Sequence, residues 1–128
     1  MVQMKRKITD ALLVIWWISM FILTTIPTTN LPGIEVIGLD KVVHFILYGI
    51  LTALLWRALA QRKYFGSQLM FMVVFTTTLY ALFDEIHQPL VGRTCSLFDF
   101  SADTLGILFV STILFIRHRK RAARADRN

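Results

Sequence analysis

ITDALLVIWWISMFILTTI, residues 8–26, carries a single charged side chain, Asp10, near its start. Soluble domains spread their apolar residues in short periodic runs, and this stretch is continuous. A bilayer span takes about 20 residues, with a range of roughly 17 to 25. Backbone in lipid must satisfy its own hydrogen bonds, so the stretch is expected to be a helix. Lys5, Arg6 and Lys7 before it resemble the start of a secretory signal. The run is long for that purpose, and Thr24, Thr25 and Ile26 before Pro27 offer no small-x-small cleavage site. It is read as a retained first helix.

Three more runs follow. The second goes from Val42 to about Leu59, past Arg57. The third goes from about Ser67 to Phe83, and the fourth from Phe100 to Ile116 with Asp103 inside. All are short for spans, and they reach across when flanking charges snorkel. The expected helices cover about 8–26, 40–60, 67–88 and 98–117, with a basic tail over 118–128. The fold class is therefore all-α integral membrane: a compact four-helix transmembrane bundle in one domain, 1–128. The whole composition agrees, with 55% apolar residues in 128 and a mean hydropathy of +0.59. No internal repeat or low-complexity linker interrupts it.

The charges orient the bundle. Lys5, Arg6 and Lys7 precede the first helix. Arg57, Arg62 and Lys63 lie between the second and third. Arg117, Arg119, Lys120, Arg121, Arg124 and Arg127 follow the fourth. These are 12 of the 14 bases, and only Lys41 and Arg93 fall in the other two connections. Lys and Arg stay in the cytoplasm during insertion, which predicts both termini inside and two external loops. The net charge of +6 is explained by topology, so no nucleic-acid partner is expected. The loops carry turn residues: Pro27, Asn30, Pro32, Gly33 and Gly38 in the first, and Pro89 and Gly92 in the second. Trp16 and Trp17 fall near mid-membrane, where packing is their only evident role. Cys95 is alone, so no internal disulfide forms, and it has no local base.

The acids lie at the other end. Asp10 and Asp126 are on the cytoplasmic side. Glu35, Asp40, Asp84, Glu85, Asp99 and Asp103 are in or beside the external loops, with His44 and His87. Their spacing is helical. Asp40, His44 and Tyr48 share a face of the second helix. Tyr80, Asp84, His87 and Gln88 share one on the third, and Asp99, Asp103 and Gly106 on the fourth. An ionisable group within a span costs about 2.5–3.5 kcal/mol on insertion scales, so these faces are expected to turn toward one another. Simpler roles exist for some of them. Asp40 could cap the second helix, and Ser96 with Asp99 has the pattern of a cap for the fourth. Arg93 could pair with Asp99. The glycines at 49, 66 and 106 could serve close packing alone. A polar lock explains Asp84, Glu85 and Asp103 least well, because three acids face only one arginine and one lysine nearby.

The order of these residues resembles a known pattern. Asp40-Lys41-x-x-His44-Phe45-x-x-Tyr48, then Asp84-Glu85-x-His87-Gln88, then Gly92-Arg93 with Asp99, Asp103 and Gly106, together resemble the three motifs of the VanZ-like membrane family. Many members carry Asn at the position of Asp103 and Pro at that of Val91. The family's namesake is linked to low-level resistance to teicoplanin, a lipid-bearing glycopeptide antibiotic, and some similar proteins accompany surface-polysaccharide genes. The resemblance thus implies a bacterial cytoplasmic (inner) membrane setting and an external site, without a defined reaction.

Two functions follow as expectations. In one, the site binds or modifies an envelope lipid, a lipid-linked saccharide or a lipoglycopeptide antibiotic. Glu85, Asp84 and His44 are the candidate catalytic residues. Asp40, Lys41, Tyr48, His87, Gln88, Arg93, Asp99 and Asp103 are the candidate binding residues, with Arg93 and Lys41 holding an anionic headgroup. In the other, the chain is a non-catalytic assembly or structural subunit of a cell-envelope or surface-polysaccharide system, as a homo-oligomer or with an envelope-complex partner. No cofactor is expected. His44, His87, Asp84 and Glu85 are suitable metal-ligand types, but their spacing lacks a standard two-histidine arrangement, so no metal is expected. Proton-coupled transport lacks a path, because the acids sit at one end only.

Overall fold

The computed structural model describes residues 2–26 and 38–125. It contains α1 (Val2–Thr25), α2 (Leu39–Ala60), α3 (Gly66–His87) and α4 (Leu97–Ala125). A single 3₁₀ turn, Gln88–Val91, follows α3. All four helices are long and apolar enough to cross a membrane. The expected turns over residues 27–37, with Glu35, and the tail residues Asp126 and Arg127 lie outside the described residues.

Two helices run further than hydropathy indicates. α1 begins at Val2 and α4 continues to Ala125. The added turns are rich in Lys, Arg and Ala, which favour helix in water as well as near lipid. Elsewhere the ends fall where the local chemistry stops them. Gly38 enters α2 in a left-handed conformation, φ 92°. Pro89 occupies the first positions of the 3₁₀ turn, and Gly92, φ 76°, ends it. Asp40 makes no cap hydrogen bond for α2; it lies in the first turn and pairs with Lys41.

α2 is the central helix. It packs on α1, α3 and α4, most extensively on α4. The bundle is filled at two levels. Met20, Tyr48, Leu51, Ala81 and Ile107 form one buried cluster, and Leu55, Trp56, Leu69 and Val73 the other. Large apolar side chains such as Ile15, Ile18, Phe71, Phe75 and Leu105 point outward. In lipid such exposure costs nothing, so apolar burial does not drive helix association; close packing and interhelical hydrogen bonds do. Gly106 shows the first. A Cβ there would collide with the Phe45 backbone carbonyl, so α2 and α4 touch backbone to backbone. Trp16 shows the second. Its indole N–H donates to the Leu47 carbonyl oxygen at 3.2 Å, and Trp17 packs edge-on to Tyr80 at 5.1 Å. These contacts supply the role that composition left open for the tryptophan pair.

The base-rich end is stapled. Arg62 holds Asp10 with both guanidinium nitrogens, at 3.0 and 2.8 Å. Gln61 donates to Thr9 at 3.0 Å, and its own carbonyl accepts from Arg6 at 3.1 Å. Asp10, the lone charge in the first run, therefore ties α1 to the turn after α2. Among the described residues that leaves the other acids, Asp40, Asp84, Glu85, Asp99 and Asp103, to the opposite end.

Candidate functional site

Three helices bring their polar faces together at the far end. α2 contributes His44 and Tyr48 one turn apart, both buried. α3 contributes Asp84 and Glu85 from its last turn, and α4 contributes Asp103; all three acids are at least 97% buried. His44 Nδ1 and Asp103 Oδ1 share a hydrogen bond of 2.9 Å. The Tyr48 hydroxyl donates to Asp84 Oδ2 at 3.3 Å. His44, Glu85 and Asp103 each offer an atom to one small volume, all within 4.8 Å of one another.

The far side of Glu85 builds the loop. Its Oε2 accepts from the Ser96 backbone N–H at 2.7 Å. Ser96 in turn caps α4, with its hydroxyl accepting from the Asp99 N–H at 3.3 Å. A capping box usually returns the acid three residues on to the cap's own N–H. Here that N–H is taken by Glu85, and Asp99 turns to Lys41 at 2.9 Å instead. Lys41, bonded also to Asp40, forms a half-exposed rim over the buried acids.

Among the described residues, the buried oxygens at this end without a protein partner include Asp84 Oδ1, Glu85 Oε1 and Asp103 Oδ2, and the Gln88 side-chain amide nitrogen is also unpaired. Buried polar groups are normally hydrogen-bonded. These three unpaired oxygens belong to acids that gather with one histidine at this end of the bundle.

The expected residues divide. His44, Tyr48, Asp84, Glu85 and Asp103 converge, while Asp40, Lys41 and Asp99 form the rim. Gln88 is buried at the same end. His87 departs toward α1, where its ring packs against Phe21 at 5.4 Å, and it also stacks on Phe83 of its own helix at 5.8 Å. Arg93 does not pair with Asp99. Its guanidinium reaches the Leu23 carbonyl at the end of α1, at 3.5 Å. The loop before Ser96 carries it away from the acids, and Lys41 takes the place at Asp99. Nothing in the spacing marks the Ser96 backbone amide as the partner of Glu85, because the cap pattern there points to Asp99. Cys95 is exposed, and its thiol is pushed above its usual range by desolvation and the Glu85 carboxylate. This agrees with reading it as no nucleophile.

Fold and site together define a small multi-pass helical membrane protein with a buried histidine–carboxylate centre at one end of its bundle. The VanZ/LLP1 family model matches residues 3–118, and the chain belongs to that family. No curated protein matches it, and no solved structure does.

Proposed function

We propose that this protein lies in the bacterial cytoplasmic membrane with both termini inside, and that its acid-rich end faces outward to bind or act on a lipid-tailed envelope molecule. An envelope lipid, a lipid-linked saccharide and a lipoglycopeptide antibiotic share that design: a polar head on an acyl anchor. The observation that carries the reading is the buried His44, Asp84, Glu85 and Asp103 centre with its unpaired oxygens. Ionisable groups at membrane depth are costly and are kept for function by default. An apolar furrow of about 600 Å³ between α3 and α4 supports it. Met70, Phe71, Val74, Phe75 and Leu82 line it, and Leu82 lies about one helical turn before Glu85. An acyl chain lying there would place its head at the site. His44, Asp84 and Glu85 are the groups proposed to move protons, with Lys41 at the rim to meet an anionic head.

The test is lipid and envelope-precursor profiling in strains with the protein, without it, and with Glu85→Gln at equal membrane level. The expected result is one species that changes on deletion and is not restored by the variant. Three identical profiles would sink the lipid reading. Orientation is checked at Cys95, the single cysteine. A membrane-impermeant maleimide added to intact cells is expected to label it. Because the thiol is pushed up, the reactive thiolate stays a small fraction near neutral pH, so labelling should keep accelerating past about pH 9, where an ordinary thiol levels off. Labelling only after lysis would reverse the topology.

A further inference from the structure

The convergence of one imidazole and two buried carboxylates from three helices carries a further step. We propose that His44, Glu85 and Asp103 form a binding site for a divalent transition-metal ion of the Zn²⁺ or Mn²⁺ class. The inference deepens the proposed site and rests on the same residues, but not on the identity of any lipid.

Geometry supports it first. Donor atoms around one such ion at about 2.1 Å stand about 3 to 4.2 Å apart. The three groups already hold theirs within 4.8 Å, so side-chain shifts of less than an ångström close the set. They arrive from α2, α3 and α4, the three mutually packed helices, so the bundle itself holds the spacing. Gly106, three residues beyond Asp103, lets α4 press on the α2 backbone one residue after His44.

Charge supports it second. Glu85 is 3% exposed, Asp103 not at all and His44 6%. One carboxylate oxygen of each acid has no protein partner. Among the described residues no Lys or Arg pairs with either acid: Lys41 is held by Asp40 and Asp99, and Arg93 reaches the Leu23 carbonyl. Asp103 has only the His44 imidazole beside it and Glu85 only the Ser96 amide. A buried carboxylate without a full counter-charge is strongly destabilising, and a divalent ion balances two of them at once. Imidazole with carboxylates suits Zn²⁺, Mn²⁺ and Fe²⁺ better than Mg²⁺ or Ca²⁺, which favour all-oxygen shells. The ion would also give the site the positive charge for an anionic headgroup that Arg93, turned toward α1, does not deliver.

The experiment uses the full chain purified in detergent, stripped with chelator, reloaded with Zn²⁺, Mn²⁺ or Co²⁺ and desalted. The expected result is about one ion per chain, a visible Co²⁺ absorption band, and loss of both in His44→Ala and Asp103→Asn. Asp10→Asn, at the opposite end of the bundle, should keep them. Circular dichroism and monodispersity show whether each variant folds. If the triad variants do not fold, the wild-type cobalt band and its competition by Zn²⁺ decide alone. Folded wild-type protein that keeps only chelated-background metal, with no cobalt band, overturns the proposal. So does unchanged binding in folded His44→Ala and Asp103→Asn. Metal-free protein with a lipid profile that depends on Glu85 would remove the ion and leave the lipid reading standing. One bound ion with an unchanged lipid profile would do the reverse.

Discussion

Gly106→Ala is expected to destabilise the bundle by about 3 kcal/mol, at the upper end of what an inserted methyl group costs. Its new Cβ meets no flexible side chain that might swing aside. It meets the carbonyl oxygen and carbon of Phe45, which belong to the α2 backbone. α2 and α4 share the most extensive interface in the bundle, and the two helices must separate along it. Separation also draws Asp103 on α4 from His44 on α2. Gly49→Ala is the control. Its Cβ would lie 3.3 Å from a single methyl group of Val110, which a small side-chain shift relieves. Thermal unfolding in detergent, followed by loss of the monodisperse peak, should place Gly49→Ala near wild type and Gly106→Ala far below it. Equal midpoints would show that α2 and α4 do not meet at Gly106.

His44→Leu and Asp103→Leu should each cost about 3–5 kcal/mol, because either one strands a buried polar group without its partner. The double variant should lose clearly less than the sum, since it strands neither. A coupling within about 0.5–3 kcal/mol is expected for groups in direct contact. Strict additivity would mean that the 2.9 Å contact does not form in the membrane. The cycle should be run in chelator, so that it measures the pair and not a bound ion.

Much of this was legible in the residue order. The four apolar runs located the four helices because lipid exposure leaves so few polar residues within a span. The i, i+4 spacing of His44 with Tyr48, and the placing of Asp84 and Asp103, indicated which faces would meet. Helix ends were less legible at Val2 and Ala125, because hydropathy reports where apolar character stops and not where hydrogen bonding does. The proposed metal-ligand set is hidden from spacing for a related reason. Ligand motifs are recognisable when two ligands share one helix, and His44, Glu85 and Asp103 come from three. His87, the second histidine by sequence, is the natural partner on paper, yet it packs against Phe21 and stacks on Phe83. Arg93 and Asp99 are close in the chain, but Lys41 reaches Asp99 from across the bundle. Such choices depend on loop path, which spacing alone does not encode.

Glu85 has two ends with different duties. One oxygen lies unpaired in the buried centre, and the other fastens the Ser96 amide, whose hydroxyl starts α4. The carboxylate is thus a shared post: the group at the buried centre is also the one that holds the first turn of α4, so a change at Glu85 reaches both.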